Sequence, residues 1–144
     1  MKRFAWIVML SVGLAAPGAA APEAPVGQWK TIDEKSGAVQ SVVGIYDQGG
    51  KLFGKIVSLT QPVDAQGKPK ICVKCTGDDK DKPIVGVVII KDLSADGDHW
   101  KGGTILDPDD GKVYKAELWV EEGKLKVRGY LGFFHRTQAW AKQD

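Results

Sequence analysis

The segment KVYKAELWVEEGKLKVRGYL, residues 112–131, carries the pattern that decides the fold. In its first half apolar residues occupy every second position, and this set is Tyr114, Ala116, Leu118 and Val120. Successive side chains of a strand point to opposite faces of a sheet, so the pattern predicts a strand with one buried face. The turn Glu121-Glu122-Gly123 then offers a glycine for positive φ and leads into a second β-rich segment. The segment therefore predicts an antiparallel hairpin.

The same combination of β-rich segment and turn recurs along the chain, and no stretch has a 3.6-residue apolar period. The predicted strands cover residues 26–32, 40–46, 52–59, 84–90, 99–106, 112–120, 124–131 and 136–141. Eight sequential antiparallel strands lose their edges most simply by closing on themselves. We therefore predict an all-β fold, an eight-stranded antiparallel up-and-down barrel, as a single domain over residues 26–142. A two-sheet sandwich of the same strands is the structural alternative.

The first residues have the three-part layout of a secretory signal peptide. Lys2 and Arg3 precede an apolar run, which small residues around Ala20 follow. The run is about 13 residues long, too short to span a bilayer as a stable helix. No cysteine near the junction offers an acceptor for a lipid anchor. We predict that residues 1–20 are cleaved and that the product is a bacterial periplasmic or secreted protein without a membrane anchor.

Charge excludes two classes of partner. The chain has 20 basic and 18 acidic residues, and cleavage after Ala20 removes two of the basic ones, so the product is formally neutral. Nucleic-acid binding needs a basic stripe that displaces counterions, and an anionic membrane surface needs a polybasic segment. The sequence shows neither. It therefore predicts no nucleic-acid partner, and it does not specify an oligomeric state.

The start of the first predicted strand resembles that of the lipocalins and other calycin barrels. Gly27-Gln28-Trp29 matches their Gly-x-Trp motif. The resemblance implies that Trp29 closes the floor of a barrel and that an arginine from late in the chain packs across it. Arg128 and Arg136 are the candidates for that arginine.

A second resemblance runs along almost the whole chain after the signal segment. The blocks VGQWKTID, GKLFGKIV, C-x-x-C with GDDKDKPIVG, GGTILDPDDGKVYKAEL, LKVRGYLG and RTQAW resemble, in order, those of the bacterial family called domain of unknown function 2147. They cover roughly residues 26–140. The resemblance implies an exported lipocalin-like barrel and no agreed activity.

The two cysteines, Cys72 and Cys75, lie in the long connection over residues 60–83. A thioredoxin-type site places its first cysteine at a helix N-terminus within a βαβ unit, and neither is predicted here. A zinc site would need His99 and His135 as well, and these are far apart in sequence. In an oxidising compartment neighbouring cysteines normally pair. We predict a disulfide that closes a short loop and contributes about 2 kcal/mol at best; redox and zinc sites are the alternatives.

Other motifs for chemistry are incomplete. Residues 107–111, DPDDG, begin like a calcium loop, but Lys112 replaces its glycine and Leu118 its last acidic ligand. The chain has no nucleophile elbow, zinc-protease pair or phosphate loop. His135 beside Arg136 is a lone candidate for acid–base chemistry. We therefore predict no catalytic residue, no metal and no cofactor.

Two functions fit these observations. In the first, the protein is not an enzyme but a barrel that binds a small apolar or amphipathic ligand, with the candidate lining residues Trp29, Tyr114, Phe133 and Phe134. In the second, the barrel is packed solid and residues 76–83 are presented to a partner in the cell envelope. The room left inside the barrel separates the two.

The signal segment can be tested directly. We expect protein recovered from the periplasm to begin at Ala21, within a residue or two, when its intact mass is measured. A chain lacking residues 2–20 should stay in the cytoplasm and serves as the control. Periplasmic protein that still contains Met1 would contradict the prediction.

Overall fold

A computed structural model describes residues 24–143, and it confirms the predicted barrel. Each strand pairs antiparallel with the next, and the first pairs with the last, so that no strand edge remains. The predicted signal segment, residues 1–20, lies outside the residues that the structure describes. The strands are β1 (Gly27–Ile32), β2 (Val39–Gln48), β3 (Lys51–Leu59), β4 (Val88–Asp96), β5 (His99–Leu106), β6 (Val113–Glu121), β7 (Lys124–Leu131) and β8 (Phe134–Lys142).

Large apolar side chains fill one end of the barrel, which we call the floor. Because neighbouring strands are antiparallel, the first residues of β1, β3, β5 and β7 meet the last residues of the other strands at this end. The buried residues there are Trp29, Leu52, Leu93, Trp100, Leu118, Leu125 and Trp140. The Trp29 indole N–H donates to the Pro25 carbonyl at 2.9 Å, so this buried donor is satisfied. The floor is therefore a packed apolar plug.

Both candidate arginines lie away from the predicted place across Trp29. Arg128 is on the outward parity of β7, and its guanidinium carbon lies 4.9 Å from the centre of the Trp119 ring. Arg136 is near the start of β8, at the end opposite the floor, and pairs with Glu34 at 3.0 Å. The Arg128 side chain points to the outer face of the barrel, and Arg136 lies at the end of β8 opposite the floor. Neither guanidinium group therefore packs across Trp29.

The alternation predicted for β6 is confirmed in the middle of the strand, whereas Val120, predicted for the buried face, is 47% exposed near the end of the strand. Ala116 and Leu118 of β6 are buried in the barrel, and Leu52 and Ile56 of β3 are buried on the same parity. Glu117 departs from the pattern, since it lies on the outer wall and is nevertheless buried.

The fourth strand is displaced from its predicted position, residues 84–90, to Val88–Asp96. Residues 84–87 end the long connection instead, with the Gly86 N–H donating to the Ile56 carbonyl and the Ile56 N–H to the Val87 carbonyl. Asp92 has a φ of +61°, which interrupts the regular strand where the apolar run ends. Beyond this irregularity, the strand continues through Leu93 to Asp96.

The long connection between β3 and β4 folds against the end opposite the floor. Cys72 and Cys75 form the predicted disulfide, with 5.3 Å between their Cα atoms, and both are buried. The Cys72 N–H donates to the Lys82 carbonyl, which ties the two arms of the connection together. Gly111, in the β5–β6 turn, lies so close to Lys74 that an added Cβ would stand 1.9 Å from the Lys74 carbonyl oxygen. The connection is therefore seated on that turn.

The helical structure within residues 24–143 is one 3₁₀ turn, Gly77–Asp79. Among these residues the structure shows no helix of sufficient length and apolar character to cross a membrane.

The packing of the floor predicts a large effect of Trp29. Trp29→Ala should lower the free energy of unfolding by about 3–5 kcal/mol, because it leaves a cavity in the apolar plug. The matched control is Trp119→Ala, a half-buried tryptophan on the outer wall, which should cost about 1 kcal/mol. Urea unfolding followed by circular dichroism measures both. Equal losses would mean that Trp29 does not fill the floor.

Candidate functional site

The end of the barrel opposite the floor opens into a cavity of about 790 Å³. Its wall is built from side chains of the strands and from Ile84 of the long connection. Aliphatic side chains form much of the wall and Thr31, Ser41 and Gln138 add polar groups, so it suits an occupant that is largely apolar. The main apolar lining residues are Ile56, Leu59, Ile84, Ile89, Ile105, Leu106, Val127 and Trp140.

A polar rim surrounds the mouth of the cavity. It is formed by the turns between β1 and β2 and between β5 and β6, by the start of β8, and by the long connection. Antiparallel topology brings these four segments together, since each lies at the end away from the floor. The charged rim residues are Asp33, Asp107, Asp109, Asp110, Lys70 and Arg136.

Several rim side chains are held by neighbours. Tyr114 donates its hydroxyl to Asp110 Oδ2 at 2.7 Å, and this hydrogen bond is the main reason that the pKa of Tyr114 is raised. Burial raises the pKa of Asp107, partly offset by the hydrogen bond from the Asp109 N–H. Arg136 is paired with Glu34, so its charge is already compensated. The rim is thus a hydrogen-bonded frame rather than a ring of unpaired charges.

Two of the four predicted lining residues lie on the cavity. Tyr114 and Phe134 contribute to its wall near the mouth. Trp29 belongs to the floor, and Phe133 does not line the cavity, because the β7–β8 turn directs it into solvent. Sequence reasoning missed most of the aliphatic wall and Gln138. Every second residue along β7 and β8 faces the interior, and this alternation is the sequence signal that identifies Val127 and Gln138 as lining residues.

Two strand glycines allow neighbouring side chains to pack closely against the strand. A Cβ at Gly54 would stand 2.9 Å from Ile45, so neighbouring side chains fill the space beside this glycine. Gly129 lines the cavity, and a Cβ there would stand 3.3 Å from the Tyr114 Cβ. Both glycines therefore permit close packing, Gly54 beside Ile45 and Gly129 beside Tyr114 at the wall of the cavity.

With this geometry in view, comparisons with known proteins identify the family. Residues 27–142 match the family described as "Uncharacterized protein conserved in bacteria (DUF2147)". The chain belongs to this family. No curated protein matches it.

The DUF2147 chain also resembles a solved structure. Protein HP1028 from the human pathogen Helicobacter pylori, described as belonging to the lipocalin family, is 20% identical and superposes with a TM-score of 0.67. The match covers 88% of this chain and 85% of HP1028. At this identity the likeness shows the fold, a lipocalin-like barrel.

Within residues 24–143, no three histidine, cysteine, aspartate or glutamate side chains are grouped as ligands for a metal ion. Three of the acidic rim residues, Asp107, Asp109 and Asp110, lie in the β5–β6 turn, and both cysteines are paired in the disulfide.

A second polar cluster lies on the outer wall around the buried carboxylate of Glu117. Tyr130 donates its hydroxyl to Glu117 Oε2 at 2.5 Å, and His99 Nδ1 lies 2.5 Å from Oε1. Lys101 Nζ is 3.5 Å from the same oxygen. Burial opposes ionisation, but the hydrogen bonds from Tyr130 and His99 and the charge of Lys101 outweigh it and lower the pKa of Glu117 to about 2.

This cluster connects four strands, β5 to β8. The His99 ring stacks on Trp119 with 4.7 Å between ring centres, and Arg128 lies on the same indole. Arg128 also donates from Nε to Thr137 Oγ1 at 2.7 Å. The cluster therefore stabilises the wall from β5 to β8.

The low pKa of Glu117 makes part of the stability depend on pH. Because the pKa in the folded state is below the ordinary value of 4.5, this contribution is present above pH 4.5 and is lost as the pH falls toward 2. Glu117→Gln should lower the free energy of unfolding by about 1–3 kcal/mol at pH 7. Urea unfolding should show this deficit shrinking as the pH falls.

The matched control is Glu121→Gln, an exposed carboxylate on the same face of β6, which should change stability little at any pH. A Glu117→Gln deficit that is the same at pH 7 and at pH 2 would contradict the assigned ionisation.

Proposed function

We propose that this DUF2147 barrel binds a small amphipathic molecule in its cavity and does not chemically convert it. The observation that carries the proposal is the cavity of about 790 Å³, with its aliphatic wall and hydrogen-bonding rim. Pockets that hold small molecules typically span about 300–1,000 Å³ and combine an apolar lining with a few polar groups. An apolar ligand portion would pack on the isoleucines and valine, and a polar portion would meet the rim.

The distribution of polar groups supports binding rather than catalysis. The rim's hydrogen-bonded partners, such as Tyr114 with Asp110, lie at the mouth, where water has access. His135 is exposed on the rim, and its ring is tilted against that of Tyr130 with 5.8 Å between the ring centres. A general base needs a partner and a reacting atom within about 3 Å. The deeper wall is aliphatic and suited to hold a molecule.

The site of action in this proposal is the bacterial cell envelope. The amino-terminal pattern with Lys2, Arg3 and an apolar run supports export, as does the disulfide between Cys72 and Cys75, which an oxidising compartment would preserve. The alternative function, a packed barrel acting through residues 76–83, requires an interior filled by side chains, and the cavity argues against it.

Filling the cavity should abolish binding. Ile105 is a half-buried lining residue, so Ile105→Trp can extend its ring into empty space without displacing the floor. We expect the mature protein to bind Nile red with an increase in fluorescence, and Ile105→Trp to weaken this binding at least about tenfold, since the apolar surface it uses is covered.

The matched control is Val57→Trp, which adds the same ring to an exposed position on the outer face of β3 and should leave binding unchanged. Circular dichroism verifies that both variants fold. Unaltered Nile red binding by a folded Ile105→Trp protein would refute the proposed site.

A further inference from the structure

The turn between β7 and β8 carries an unusual apolar surface. β7 ends at Leu131 and β8 begins at Phe134, so the connection is the two-residue turn Gly132-Phe133. Phe133 is fully exposed, Phe134 is 83% exposed and Leu131 is 51% exposed. Exposed apolar residues are usually scattered singly, and contiguous ones mark an interaction site. We call residues 131–134 the hairpin tip.

The hairpin tip stands at the mouth of the cavity. Leu131 and Phe134 are both part of the cavity lining, while Phe133 projects from the turn between them. The apolar surface therefore continues from the interior of the barrel to the outermost point of the hairpin. An apolar molecule can follow this surface into the cavity with less contact with water.

We propose that the hairpin tip inserts into the interface of a lipid bilayer and seats the mouth of the cavity on the membrane. Aromatic side chains enter the headgroup boundary readily, and the strength of such binding follows the apolar area that is buried. Docking in this way lets an amphipathic molecule pass between bilayer and barrel, and this last step rests on the proposed function of the cavity.

The size and shape of the tip favour a bilayer over a folded protein. Specific protein interfaces bury about 1,000 Å² or more with matched shapes. Three side chains on a two-residue turn supply only a fraction of that area and form a point rather than a face. A bilayer needs no matched shape, so a narrow apolar tip is sufficient for reversible binding.

The attraction is apolar rather than electrostatic. The chain after predicted cleavage is formally neutral, and Arg136, the cation nearest the tip in sequence, is paired with Glu34 at 3.0 Å. An anionic surface attracts polybasic segments and loses them as salt screens the charges. Binding through the hairpin tip should therefore be similar on neutral and anionic vesicles and insensitive to salt.

Vesicle flotation tests the proposal. We expect the mature protein to float with phosphatidylcholine vesicles, to the same extent when phosphatidylserine is included. Phe133→Ser with Phe134→Ser should reduce the bound fraction at least about tenfold, because both rings lose their apolar burial. The matched control replaces Val57 and Val120, exposed strand residues outside the cavity lining and the hairpin tip, by serine and should float like the wild type.

The single variant Phe133→Ser separates this proposal from the function of the cavity. Phe133 does not line the cavity, so Nile red binding in vesicle-free solution should persist while flotation falls. Equal flotation of wild type and tip variants, or binding only to anionic vesicles at low salt, would overturn the proposal. So would a wild type that fails to float but dimerises through Phe133 in sedimentation experiments, since the tip would then be a protein contact.

Discussion

The hydrogen bonding between β1 and β8 is the constraint on which the rest of the barrel depends. This seam is short: Trp29 pairs with Lys142 and Lys30 with Ala141, and the Gln143 N–H adds a hydrogen bond to the Gln28 carbonyl. It lies at the floor, where the backbone pairing is protected by buried tryptophans. Toward the mouth, side chains connect the same region, through the pair of Arg136 with Glu34. The barrel is thus closed by backbone pairing at its floor and by an ion pair between side chains nearer its mouth.

The volumes of the inward-facing side chains divide the barrel into a filled floor and an open cavity at the mouth. At the floor, tryptophans and leucines occupy the inward positions and leave no room for a ligand. At the mouth, the inward positions hold isoleucine, valine and Gly129, which line the cavity without filling it. An eight-stranded barrel can either be filled by its side chains or hold one small ligand. The identity of the inward-facing residues, rather than the number of strands, therefore decides whether a cavity forms.

The elements that frame the mouth differ in how firmly they are held. The long connection is tied by the disulfide and seated on the β5–β6 turn through the close approach of Gly111 to Lys74. The hairpin tip has the opposite character, because its phenylalanine rings extend into solvent. The outer wall beneath it is stabilised by Glu117 and its partners. A tied frame beside an exposed apolar tip fits the proposed uptake of a ligand at a surface.

The sequence by itself determined the all-β class, most strand positions, the buried parity in the middle of β6, and the disulfide, because each depends on residues close together in the chain. The sequence pattern misplaced β4, because the apolar run after Pro83 resembles a strand. In the structure residues 84–87 hydrogen-bond to Ile56 as the end of the long connection, and the strand continues past the irregularity at Asp92. Only the tertiary structure decided the partners of Arg128 and Arg136, the burial of Glu117, and the cavity. These depend on which residues of distant strands face each other, and that register is set by closure of the barrel rather than by any local pattern.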